Sequence, residues 1–167
     1  GKTSKEQYLY NDYGLPESKT IGVSQNRTEY YTYDSLHRFV TGICKSNGLS
    51  EHRTFDPYYG NVLSYSDYNN NTTNYTYDGF GRILKQESPD GSYTKWKYCI
   101  GVPPEAEGLG VKYYIQKQIN ITGLINFHWI SYFDAFDQEV LTRTDKRFIQ
   151  RKYNIWGLLE SESFPYL

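Results

Sequence analysis

The chain has 167 residues, with 18 Lys+Arg against 19 Asp+Glu, a net charge of −1, and no block of like charge. Neutralising several phosphates takes clustered Lys and Arg, so neither nucleic acid nor an anionic membrane surface is expected as a partner. Hydrophobic residues reach only 38%, but aromatics make up 18% and Tyr alone 19 residues; such rings suit half-buried pleated sheet, with a hydroxyl left to find a partner.

No run of about 18 apolar residues exists, so no membrane span is expected. Met is absent and the chain starts Gly-Lys-Thr-Ser, from which we expect a piece of a longer protein. Two cysteines, Cys44 and Cys99, form no CxxC pair and no Cys/His set with zinc spacing. They are read either as one disulfide or as two semi-buried thiols.

In chain order, one phrase recurs: an aromatic anchor, Asp or Asn, two residues, Gly, then an apolar pair. It runs Tyr10-Asn11-Asp12-Tyr13-Gly14, then Tyr33-Asp34-Ser35-Leu36-His37-Arg38-Phe39-Val40. Next come Phe55-Asp56-Pro57-Tyr58-Tyr59-Gly60-Asn61-Val62-Leu63, with one extra residue, and Tyr77-Asp78-Gly79-Phe80-Gly81-Arg82-Ile83-Leu84. The anchors at 10, 33, 55 and 77 step by 23, 22 and 22 residues. Tyr98 follows 21 later as the next expected anchor, with Cys99 in the Asp position. Residues 101–112, Gly101-Val102-Pro103-Pro104 onward, read as an inserted Pro/Gly loop and as the one place for a subdomain boundary. Residues 111–121 could be argued as helix, but their β-branched and aromatic content favours strand. The phrase then returns at Phe133-Asp134-Ala135-Phe136-Asp137 and at Tyr153-Asn154-Ile155-Trp156-Gly157.

The phrase is a hairpin corner. Asp or Asn accepts a hydrogen bond from backbone two residues on, and Gly takes positive φ and forms the bulge that lets the returning strand pair. His37 and Asp137 stand at the Gly position, and both residue types tolerate that backbone. The residue before it is Tyr13, Leu36, Tyr59, Phe80, Phe136 or Trp156; it is expected to plug the end of the core. Two residues ahead of the anchors stand Tyr8, Tyr31, Tyr75 and Trp96, on the same strand face, so aromatic ladders are expected. Second turns lie midway, at Ser46-Asn47-Gly48, Asn69-Asn70-Asn71, Pro89-Asp90-Gly91 and Thr144-Asp145-Lys146. The expected fold is all-β, a single array over 1–167 of tandem antiparallel β-hairpins in a curved sheet strip.

Tyr75-Thr-Tyr77-Asp78-Gly-Phe-Gly81-Arg82-Ile-Leu84 closely resembles the YD repeat, YxYDxxGRL, of RHS-type proteins, and Tyr31 to Val40 resembles it with His for Gly. The run Trp156-Gly157 to Ser163-Phe164-Pro165-Tyr166 is similar to segments of the B component of insecticidal toxin complexes and of SpvB-like proteins. The resemblance implies a strip that spirals into a hollow shell, enclosing a toxin domain in some members and serving adhesion in the teneurin-like ones. It implies a secreted or cell-surface protein whose partners are the rest of its parent and the enclosed domain. Self-association through free strand edges is also expected. The stretch Arg53-Thr-Phe-Asp-Pro-Tyr-Tyr-Gly superficially resembles the family's self-cleavage segment, but it lacks a second Asp-Pro and is read as an ordinary repeat.

The repeat residues set apart are Tyr33, Asp34, His37, Phe55, Asp56, Gly60, Tyr77, Asp78, Gly81, Arg82, Phe133, Asp134, Tyr153 and Gly157. Asp34, Asp56, Asp78 and Asp134 could be read as calcium ligands or acids; turn formation explains them better, since the nine-residue calcium-repeat period is absent. His37, His52 and His128 share no triad spacing, and no nucleophile or phosphate-loop motif occurs. No catalytic residue, metal or cofactor is therefore expected. Arg38 and Arg82 are read as partners of carboxylates or covers for rings, with cargo contact as the alternative. Asn26, Asn71, Asn74 and Asn120 begin Asn-x-Thr sequences, which Asn-rich turns generate freely. A carbohydrate-binding aromatic repeat is the alternative function, and an enzyme hidden in an unusual β fold a third.

Overall fold

The computed structural model describes residues 5–22, 27–122 and 126–167; Asn26 and the Gly1–Ser4 start lie outside them. The chain is all-β, with fourteen strands that pair antiparallel with their sequence neighbours within two compact units. The first unit, Gly1–Arg82, holds β1 Lys5–Tyr10, β2 Pro16–Gly22, β3 Arg27–Tyr33, β4 Val40–Lys45, β5 Ser50–Phe55, β6 Val62–Ser66 and β7 Thr72–Tyr77. The second, Ile83–Leu167, holds β8 Ile83–Glu87, β9 Tyr93–Ile100, β10 Tyr113–Asn120, β11 Asn126–Phe133, β12 Glu139–Thr144, β13 Arg147–Tyr153 and β14 Leu159–Glu162. Residues 111–121 carry a strand, as their composition favours, and the only helical turn among the described residues is 3-10, Pro104–Ala106.

Two expectations are corrected. Tyr98 opens no corner: β9 runs through Cys99 to Ile100, because Cys99 lacks the carboxylate that would capture the following N–H groups. The unit boundary falls at Arg82/Ile83, not at the Pro/Gly segment. That segment folds back on its own sheet, closed at its neck by Gly101 N–H to Lys112 O at 2.9 Å.

Successive residues along each strand of the first unit alternate faces. One face carries the anchors. The other carries hydroxyl pairs across neighbouring strands: Thr20–Thr28 at 3.0 Å, Thr54–Ser64 at 2.7 Å and Ser66–Thr72 at 2.7 Å. In the second unit the same side carries Tyr132 and Leu141, opposite one another in β11 and β12. The 101–112 loop lies over them and buries Ala106, Val111, Tyr132, Val140 and Leu141, which make the hydrophobic core of the described residues.

Register carries the repeat. A β-bulge falls at the anchor in every corner hairpin whose pairing is described: between Leu9/Tyr10, Thr32/Tyr33, Thr54/Phe55, Tyr132/Phe133 and Lys152/Tyr153. The residue two before each anchor then aligns, through one intervening strand, with the residue four before the next. Tyr8 meets Lys19 and then Glu29; Tyr31 meets Ile43 and then Glu51. Arg53 meets Tyr65 and then Thr73; Ser131 meets Thr142 and then Ile149. Each hairpin is thus offset by two residues from its predecessor. This offset stands in place of the expected straight ladders of anchor rings.

Candidate functional site: the repeat corner

Each corner is a type I turn closed by a residue at positive φ. At Tyr77–Arg82, Asp78 O accepts from Gly81 N–H at 3.0 Å, and Asp78 N–H donates to Arg82 O at 2.9 Å. The Asp78 carboxylate accepts from Phe80 and Arg82 N–H, both at 2.9 Å. Asn11 and Asn154 cap with a side-chain amide oxygen in the same way, and so does the Asp134 carboxylate. The extra residue at Asp56 widens the turn: Gly60 N–H reaches Asp56 O four residues back, while Tyr58 and Tyr59 N–H share the carboxylate. The midway turns use the same device, with Gly48, Asn70 and Gly91 at positive φ.

Positive φ is found at Gly14, Gly60, Gly81 and Gly157, and equally at His37 (55°) and Asp137 (61°). His37 stacks on Tyr13 with ring centroids 3.8 Å apart. Its Nδ1 is buried without a hydrogen-bond partner, a cost that the Gly corners avoid.

The corner also joins consecutive repeats, which sequence reading did not foresee. The two-residue offset brings each anchor ring beneath the corner of the repeat before it. Tyr33 OH donates to Pro16 O at 2.7 Å, Tyr77 OH to Val62 O at 2.8 Å, and Tyr153 OH to Glu139 O at 3.0 Å. In each case the acceptor is the residue paired with the previous anchor, namely Tyr10, Phe55 and Phe133. Burial raises the phenol pKa of Tyr33 and Tyr77. Phe55 has no hydroxyl and stacks instead on Phe39, just past the previous corner, at 4.9 Å. Phe133 stacks on Tyr113 at 4.9 Å. The positive-φ residues make a second link: a Cβ on Gly60 would sit 2.7 Å from the Phe39 ring, one on Gly81 3.2 Å from the Asn61 amide, and one on Gly157 3.0 Å from the Gln138 amide.

The next repeat's anchor therefore closes the Tyr10, Tyr33, Phe55 and Phe133 corners, and the residue before the Gly position does not. Tyr13, Leu36, Tyr59, Phe80, Phe136 and Trp156 are 65–86% exposed. The turn aims this side chain away from the sheet, and the space beneath is already filled.

Arg38 and Arg82 turn back on their own corners. Arg38 Nε lies 3.3 Å from the Asp34 carboxylate and its guanidinium 5.0 Å from the Phe39 centroid; Arg82 lies 2.7 Å from Asp78 and 5.3 Å from the Phe80 centroid. The Asp34 carboxyl is held below its usual range, chiefly by Phe39 N–H and then by Arg38. At Asp78, burial opposes ionisation, but Arg82 N–H and its guanidinium prevail and the pKa falls. The structure spreads the repeat aspartates over successive corners and brings them to no common centre. Among the described residues no group of His, Cys, Asp and Glu could hold a metal ion. His52 lies in β5 and His128 in β11, Cys44 and Cys99 are free thiols, and no described helix is long and apolar enough to cross a membrane.

Fold and corner together define a tandem β-hairpin repeat protein whose repeats are bonded each to the next. Residues 58–96 match the family model of the RHS repeat. Two crystal structures share the fold. TcdB2-TccC3-TEV matches with TM-score 0.67 at 12% identity, over 94% of this chain and 9% of that one. TcdB2-TccC3-Cdc42 matches with TM-score 0.63 at 12% identity, over 92% and 9%. The chain thus spans about a tenth of the proteins whose fold it shares. No curated protein sequence matches it.

Proposed function

We propose that the chain is a non-catalytic wall segment of an RHS-type shell, in a secreted or cell-surface protein, that encloses or displays a toxin or other domain. The observation that carries this reading is the recurring lock between repeats, a phenol bonded to the preceding repeat's backbone beside a closely packed corner. It serves mechanical continuity and offers no reactive group. The partners are then the rest of the parent protein and the domain it holds. Protease digestion of the full parent tests this. The enclosed domain should resist cleavage in the intact protein and be cut once residues 1–167 are deleted; equal cleavage in both would refute enclosure.

A second reading, a carbohydrate-binding face, is favoured by one feature. On β9–β11, Trp96, Lys117 and Trp129 stand side by side across the strands, and Trp129 is 47% exposed. Saturable binding to a polysaccharide, lost in Trp129→Ala, would support it over the wall.

A further inference from the structure

In the first unit, the corners after β1, β3, β5 and β7 share one edge, because the strands follow chain order with alternating direction. Their tips, Tyr13, Leu36, Tyr58, Tyr59 and Phe80, are 65–89% exposed. The opposite edge carries Asn47 and Gly48 at one corner and Asn69 and Asn70 at the next. One edge of the unit is thus tipped with five large, strongly exposed apolar side chains, whereas the described corners of the other set Leu49, at 42% exposure, and Tyr68 among Asn and Gly. Aligned apolar exposure of this kind marks an interaction surface, whereas scattered exposure does not.

We propose that the apolar-tipped edge is a self-recognition seam, and that its partner is the same edge of a second copy of this chain. Pitch argues for that occupant. Strands lie about 4.8 Å apart and each hairpin is shifted by two residues, about 6.6 Å, so successive tips stand roughly 11–12 Å apart along a slanted edge. An apolar comb of that spacing meshes over its whole length with another of the same spacing, which a second copy supplies. Charge is largely muted at the contact: Asp34 and Asp78 are already paired with Arg38 and Arg82, while Asp12, exposed beside Tyr13, remains at the first corner. The area approaches what a dimer needs. Aromatic side chains bury roughly 150–250 Å² each. At these exposures five tips offer at most on the order of 600–800 Å² per copy, against the ~800 Å² per partner of a standard interface. The seam needs no enclosed domain, so it stands or falls separately from the wall reading.

The test is the solution mass of the whole chain by sedimentation equilibrium, with circular dichroism to confirm folding. Wild type should show a concentration-dependent dimer. The triple variant Leu36→Ser, Tyr59→Ser, Phe80→Ser should be monomeric with an unchanged spectrum; if it does not fold, the single variant Leu36→Lys at an exposed tip should weaken the dimer at least tenfold. Three outcomes would overturn the seam: a wild type monomeric at every concentration, a dimer that survives the tip variants, or a dimer lost in Gln7→Pro while the triple variant keeps it. The last would assign association to the edge strand β1.

Discussion

The two units present the same side of the sheet, the one opposite the anchors, in contrasting states. In the first it is a field of paired Ser and Thr hydroxyls facing outward. In the second it is roofed by the 101–112 loop, with Ala106 and Val111 buried on Tyr132 and Leu141. Glu105 fixes the roof, accepting from Tyr132 OH at 2.7 Å and pairing with Arg143 at 3.3 Å. The repeat grammar therefore suffices to make a bonded sheet but not a core; a core appears only where a segment outside the repeat covers a face. The largest expected effect follows from this. Leu141→Ala should destabilise the second unit by about 2–5 kcal/mol, the cost of a cavity under the roof. Hydrogen exchange should show β11 and β12 losing protection while β3–β6 keep theirs. Equal loss in both regions would break the contrast.

The next effect separates backbone strain from crowding. Gly60→Ala must place a Cβ at positive φ and against a rigid ring 2.7 Å away. The left-handed backbone costs about 1–2 kcal/mol and the overpacking a further ~1–3 kcal/mol. In the second unit, Gly157→Ala meets only the mobile end of Gln138 and should cost little beyond the backbone strain. Gly14→Ala, with nothing within 4 Å, isolates that strain. Denaturant midpoints should rank Gly60→Ala as the most harmful of the three.

Much of this was legible in the sequence. The Asp-to-Gly spacing marked the corners, and the tolerance of His and Asp for positive φ explained His37 and Asp137. The two-residue offset was not legible, because it arises from pairing across a third strand, and no spacing along the chain reports that. Without it, Phe80 and its equivalents looked like plugs, when Tyr33, Tyr77 and Tyr153 occupy the place. The roof had a signal that went unread. The residue before the anchor is Leu9, Thr32, Thr54 and Thr76 in the first unit and Tyr132 and Lys152 in the second, and a large ring where the other corners carry Thr, Leu or Lys calls for a cover.

The inter-repeat lock gives a smaller effect that should be alike in both units. Tyr77→Phe in the first and Tyr153→Phe in the second each remove one phenol donor and leave a carbonyl, Val62 O or Glu139 O, without it. Each should cost about 1 kcal/mol, read from urea midpoints at unchanged slope. A cost confined to Tyr153 would mean that the lock depends on the roofed core and not on the offset.

The smallest effect is the response of the two units to pH. Asp34 and Asp67 in the first are depressed chiefly by backbone N–H groups of their own turns, Phe39 and Asn71. A depressed carboxyl stabilises the fold above its unfolded pKa, about 4, and that contribution is lost as pH falls through the folded value. Acid should therefore loosen corners in the first unit, and in the second at Asp90, whose Ser92 contacts act alike. Alkali acts on both units, and most strongly on the roof. Burial first, and then the bond to Glu105, push the Tyr132 phenol well above its usual range. A raised phenol favours the folded state fully below its unfolded pKa, about 10, and the benefit goes as pH rises through the folded value. The roof should thus lift in alkali, whereas the first unit has no roof and should loosen only where its own raised phenols, Tyr33 and Tyr77 among them, bond to the preceding corner. Amide exchange across 101–112 reads this directly, and Tyr132→Phe, which cannot ionise, should weaken the alkaline response of that segment while leaving the acid response of the corners in place.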